Sequence, residues 1–179
     1  MKRLYFATST LSCVNDVMTD LHQQGLSDWR LHTLTSNEAG LYTHHIHSAN
    51  VLYKSDVVRY LERGAIVGLT AALFTLIPLN LSGVLEVSLL GTVGICAFFM
   101  LIGGWIGGIG GISKENYKLK RFHNRIEKGQ YLMMIDVPKH DLNSIKQMII
   151  AGHPAAQFLG VDSTLTNPFV EEDGRFHLA

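Results

Sequence analysis

Cysteine is scarce: the chain of 179 residues has two, Cys13 and Cys96, and neither belongs to a C-x-x-C pair. That spacing argues against a zinc ribbon and against thioredoxin-type redox chemistry. Charge is also scarce, at 17% of residues where soluble domains carry about 25%. The shortfall is concentrated, because Glu86 is the only formal charge between Gly64 and Ile112. Net charge is zero, so neither a basic field for nucleic acid nor an acidic solvating tail is expected. The basic start MKRLYFATST has no long apolar run behind it, so a cleaved signal peptide is not expected. No nucleophile–base pair and no complete metal set is visible, so no enzyme and no cofactor is expected.

What is present is two apolar runs, Gly64 to Leu81 and Val87 to Ile112. As a helix, the first reaches roughly 27 Å, close to a bilayer core of about 30 Å. The second is longer and would tilt or protrude. Between them SGVLE, Ser82 to Glu86, carries no Lys or Arg. Lys54, Arg59 and Arg63 flank one side, and Lys114, Lys118, Lys120, Arg121, Arg125 and Lys128 the other. Basic flanks stay cytoplasmic, so the expected topology is a multi-pass hairpin in a bacterial inner membrane with both termini in the cytoplasm.

Small residues recur four apart: Gly103 and Gly107, Gly104 and Gly108, Gly107 and Gly111, with Gly64 and Gly68 matching on the first run. Such a glycine zipper lets another backbone approach closely, within the hairpin, between protomers, or both. A homo-oligomer is the expectation. A nucleotide loop is excluded, since no strand precedes these glycines and the G-x-G-x-x-G order is absent.

Outside the hairpin the periods change. RLYFATS reads as a strand, and Leu11, Val14, Val17, Met18 and Leu21 share one helix face that Gly25 ends. WRLHTLTS is a second strand. Ser55 is a candidate cap for a helix running into the first apolar segment, and Ser113 for a basic helix with Leu119, Phe122 and Ile126 on one face, ended by Gly129. QYLMMIDV is a third strand, Leu142, Ile145, Met148 and Ile149 mark a helix, and AAQFLGVDS is the fourth strand. Two β-α-β units predict an α+β fold: a ferredoxin-like four-stranded cytoplasmic domain interrupted by a transmembrane hairpin. The expected divisions are 1–54 and 114–166 for its halves, 55–113 for the juxtamembrane helix and hairpin, and 167–179 for a tail. Either half alone is too small to bury a useful core.

The stretches KSDVVRYLERG and GQYLMMIDVPKHD, continued by LKRFHNRIEKG and HPAA, resemble an uncharacterised family of small bacterial membrane proteins with a glycine-rich membrane pair. The resemblance runs from Lys54 to Ala156. Members are loosely labelled stress proteins, magnesium transporters or cofactor-using enzymes, and the family supplies no catalytic residues to carry over.

His44, His45 and His47 lie close together, and in an extended chain His45 and His47 share a face, as a bidentate metal site would need. A solvated histidine-rich loop accounts for them as well. His140, Asp141 and Asp136 resemble an acid–base group, yet an acid in a first helical turn suits the helix dipole. Lys114, Lys118, Lys120 and Arg121, beside a membrane span, would each gain about 1 kcal/mol from anionic headgroups, or serve only as a topology signal. The apolar runs hold no Asp, Glu, Lys, Arg or His; Thr70, Thr75, Ser88 and Thr92 are their hydroxyls. A membrane-tethered, self-associating binding or scaffold module is therefore expected first. An oligomeric channel or transport subunit is the alternative, membrane lipid the expected partner, and any protein partner or small ligand stays unnamed.

Overall fold

The computed structural model describes residues 1–36, 49–84 and 86–169. It divides into two compact units: Met1–Asn50 with Leu119–Leu165, and Val51–Lys118 with the chain from Thr166.

The first unit is a mixed helix and sheet structure. Its strands are β1 (Lys2–Thr8), β2 (Leu31–Leu34), β3 (Tyr131–Val137) and β4 (Gln157–Ser163). They form one antiparallel sheet in the order β2-β3-β1-β4. β1 therefore lies between two strands that follow it by more than a hundred residues in the chain. Its register sets Arg3 opposite Asp136 on one side and opposite Asp162 on the other. Leu159 is an extra residue on β4, since Tyr5 faces Gly160 and Phe6 faces Phe158.

Alternation on the strands builds the core. Leu4, Phe6, Leu31, Met133, Ile135 and Val137 meet Val14, Val17, Met18 and Leu21 of helix α1 (Leu11–Gln23) and Ile145 and Ile149 of the helix Leu142–Gly152. The 3.6-residue period on the helices and the 2-residue period on the strands bring these faces together. Helix α1 ends because Gly25 takes a φ of +82°. Its N–H donates to the His22 carbonyl and the Leu26 N–H to that of Leu21, which satisfies the last turn.

The second unit holds a short turn of helix, α2 (Val51–Lys54), and two long ones, α3 (Val57–Leu81) and α4 (Leu89–Ile112). Each long helix rises roughly 36 to 38 Å and is long and apolar enough to cross a membrane. Their side chains face outward rather than into a core: Phe74 is 81% exposed, Leu90 83% and Trp105 70%. The two run antiparallel, and glycine lets their backbones meet. A Cβ on Gly64 would fall on the Gly103 carbonyl, one on Gly68 on that of Phe99, and one on Gly107 on that of Tyr60. At Gly111 it would lie 2.7 Å from the Val57 Cα. The contacts step along both helices by about one turn. Gly104 and Gly108 sit beside Leu61 at ordinary van der Waals distance, whereas Gly94 and Gly110 face open space.

Two capping expectations are corrected. The Ser55 hydroxyl donates back to the Val51 carbonyl at 2.7 Å, and Asp56 takes the position before α3 without a side-chain cap bond. Ser113 closes α4 rather than opening a basic helix. The segment 114–128 is not one helix: a 3-10 turn at Lys120–Phe122 leads into the short α5 (His123–Glu127), and the chain then reaches α6 (Leu142–Gly152) through β3. The helical period of that segment is real, but Leu119 and Phe122 are held in the first unit, and that burial overrides local propensity.

Replacing Gly64 or Gly103 by Leu is expected to force α3 and α4 apart and lower the melting temperature of the detergent-solubilised chain. Gly94→Ala and Gly110→Ala, which meet nothing, should be neutral or gain about 0.5–1 kcal/mol in helix propensity. Equal losses at all four positions would show that the close approach is not what stabilises the pair.

Candidate functional site

Chemistry-bearing side chains gather in two places, one in each unit. In the first, the sheet face opposite α1 and α6 carries Arg3, Tyr5, His32, Met134 and Asp136, all buried. A solvated sheet would leave that face to water, yet here both faces of β1 and β3 are covered. Part of the cover is the segment Leu119–Glu127. Phe122 packs on Tyr5 with ring centroids 5.0 Å apart, and the Arg121 guanidinium lies 5.1 Å from the Tyr5 ring centre.

The polar groups on this face form a chain. The Arg3 guanidinium donates from Nε and Nη2 to the two Asp136 carboxylate oxygens, both at 2.6 Å, a bidentate pair across neighbouring strands. Arg121 donates to Asp162 at 2.9 Å, and Asp162 is the cross-strand neighbour of Arg3. Tyr5 stands next along the face, fully buried, and its hydroxyl has no hydrogen-bond partner among the described residues. Burial pushes its phenol up to about 12; Arg3 and Arg121 pull the other way, while Asp162 and Asp136 add to the rise. The group is thus a donor that stays protonated in neutral water, placed among four charges.

In the second unit the base of the helix pair is fastened by main chain and by charge. Asp56 N–H donates to the Lys114 carbonyl and Asn116 N–H to that of Lys54, both at 2.9 Å, around the Ser55–Glu115 bridge. Behind this clasp Arg59 is ion-paired with Asp56, both almost wholly buried, and lies 4.6 Å from the Tyr117 ring centre. Burial pushes the Asp56 carboxyl above its usual range against the opposing pull of Arg59. The segment following Thr166 docks on the same base. Thr166 donates to Glu62 at 3.2 Å, and Arg63 to the Pro168 carbonyl at 2.5 Å.

The residues singled out from sequence are distributed as follows. Gly64, Gly68, Gly103, Gly104, Gly107, Gly108 and Gly111 all meet the other helix of the same pair. Of the basic set, Lys114 and Lys118 lie in the helical unit, and Lys120 and Arg121 in the sheet unit. Arg121 is engaged with Asp162 and Tyr5. His44, His45 and His47 lie outside the described residues. Among the described residues no group of three or more His, Cys, Asp or Glu is placed to hold a metal. Asp136 is committed to Arg3, apart from the exposed His140–Asp141 contact of 3.2 Å. The hydroxyls of Thr70, Thr75 and Thr92 donate to carbonyls one turn back on their own helices.

Sequence inspection missed three features: the Arg3–Asp136 pair, the buried Tyr5 hydroxyl, and the Asp56–Arg59 pair. The alternation RLYF did carry a signal, since Arg3 and Tyr5 share the face opposite Leu4 and Phe6. Only the cross-strand register adds Asp136 and Asp162. No family model, curated protein or solved structure matches this chain.

Tyr5→Phe is expected to leave stability near neutral pH unchanged or raised, because the lost hydroxyl has no partner. The folded chain holds the Tyr5 proton longer than the unfolded chain does. Stability should therefore fall as pH rises from the ordinary 10.0 to about 12, and the substitution should remove that part of the slope. Chemical denaturation across that range tests both; a loss above about 1 kcal/mol at neutral pH would reveal a bond to the hydroxyl. Arg59→Met should cost about 3–5 kcal/mol by leaving a buried carboxylate without its cation, and Asp56→Asn in the same chain should recover most of it. Additive losses in that double-mutant cycle would refute the coupling.

Proposed function

We propose that this chain is a two-pass membrane tether that presents a ferredoxin-like domain at the cytoplasmic face of a bacterial inner membrane, as a non-catalytic binding or scaffold module. The observation that carries the reading is the position of β1. It is hydrogen-bonded to β3 and to β4, both of which follow the two apolar helices. One sheet cannot be shared across a bilayer, so the chain before and after the helices lies on one side and crosses an even number of times. The outward apolar side chains of α3 and α4 suit lipid, whereas a soluble protein would bury them. The basic residues at the base and their absence from the turn at Ser82 to Glu86 support the cytoplasmic assignment.

The sheet order β2-β3-β1-β4, with α1 and α6 on one face, supports the ferredoxin-like description. Fold alone names no ligand. The tether is favoured over a conduit because the threonine hydroxyls are turned back onto their own helices. Self-association is not drawn from the glycines, since each of the seven already meets its own partner helix. The family resemblance agrees with a paired-helix anchor and assigns no activity.

Fusions of a reporter active only in the cytoplasm, placed after Ser82 and after Ala179, test the topology. Activity at Ala179 and none at Ser82 is expected, with the chain resisting alkaline extraction of membranes. Cytoplasmic activity at Ser82 would overturn the hairpin, and release by alkali would overturn the tether.

A further inference from the structure

The segment Leu119–Lys128 is encoded one way and folded another. Its sequence places Leu119, Phe122 and Ile126 on one helical stripe and Lys120, Arg121, Arg125 and Lys128 around it, the composition of a helix that lies on a charged bilayer surface. In the fold it is broken into a 3-10 turn and the five-residue α5, and it lies over the polar face of the sheet. We propose that it is a strap with two seats, the polar sheet face and the surface of an anionic bilayer, where it forms one amphipathic helix and uncovers Tyr5.

Four observations carry this. First, the strap is fastened largely by polar bonds within reach of solvent. Arg121 meets Asp162 at 2.9 Å with both side chains a third or more exposed; Arg125 donates to Gln157 at 2.7 Å, and the Ser36 hydroxyl to the Ile126 carbonyl at 2.9 Å. Anionic headgroups compete directly for those guanidinium groups. Second, only Leu119 and Phe122 are buried apolar anchors, and a bilayer interface would receive the same two side chains together with Ile126. Third, the closed seat buries the Tyr5 hydroxyl with no hydrogen-bond partner among the described residues, and departure of the strap would open it to solvent. Fourth, between Asn116 and Ile135 the only acidic residue is Glu127, against Lys118, Lys120, Arg121, Arg125 and Lys128. The complementary surface is anionic.

The inference rests on the tether reading, because only residues 113–118 separate the strap from the end of α4. If the hairpin spans a bilayer, the strap begins at headgroup level.

Hydroxyl-radical footprinting of the full chain, in nanodiscs of phosphatidylcholine alone or mixed with phosphatidylglycerol, reads both seats. Several-fold greater oxidation of Tyr5 in the anionic discs is expected, with Phe6, on the opposite sheet face, still protected. Lys120→Gln with Lys128→Gln should return Tyr5 to its protected level in anionic discs. Equal protection of Tyr5 in both lipids, with Trp105 shielded, would overturn the strap and leave the tether standing. Equal oxidation of Phe6 and Tyr5 would mean loss of the whole fold, and would also overturn it. Trp105 oxidised as in water would overturn the tether, and the strap with it.

Discussion

Everything in the sheet unit hangs on the hydrogen bonding of β1. A central strand satisfies its backbone on both edges, and here both neighbours come from beyond the helical hairpin. Neither half of the chain can complete its ladder alone, and the core residues of α1 find their counterparts on β3 and α6. The long connection from β2 to β3 is tolerable because the entropy of closing a loop grows only slowly with its length. Once α3 and α4 are packed, much of that connection is no longer a flexible loop.

The two buried ion pairs answer different demands. Arg3–Asp136 lies in the middle of a sheet and fixes which residues of β1 and β3 stand opposite, because a one-residue slip would turn Arg3 onto the apolar face. Asp56–Arg59 lies at the foot of the helices, where a charged pair marks the end of the apolar stretch. Neither pair is a strong source of stability, since desolvation offsets most of the attraction. The contribution of Arg3–Asp136 is to discriminate against wrong registers of β1 on β3.

Much of this was legible in the sequence. Strand and helix periods located β1, α1, β3, α6 and β4, and the apolar runs located α3 and α4, because each period is a local property of successive residues. The glycine spacing revealed a face built for close approach. It could not reveal which backbone approaches, since a small face looks the same to a helix of its own chain and to a neighbour's. Ser55 and Ser113 were misjudged for a related reason: a hydroxyl beside a helix end can serve either side of it. The strap was the largest departure. Leu119, Phe122 and Ile126 satisfy a helical period, but the pull of the sheet on Phe122 is a long-range effect that no local pattern contains. The second polar face was half visible as Arg3 and Tyr5, and needed the register to bring in Asp136 and Asp162.

The clasp at Ser55 and Glu115 has a consequence for how such a chain could have arisen. It brings the entry and exit of the helical unit into hydrogen-bonding distance of one another, as the two ends of a tight turn would be. To the surrounding sheet domain, a long insertion with adjoining ends is geometrically equivalent to a short connector. The hairpin is therefore a cassette: a pair of long apolar helices can be gained or lost between β2 and β3 without asking the host fold to change its connections.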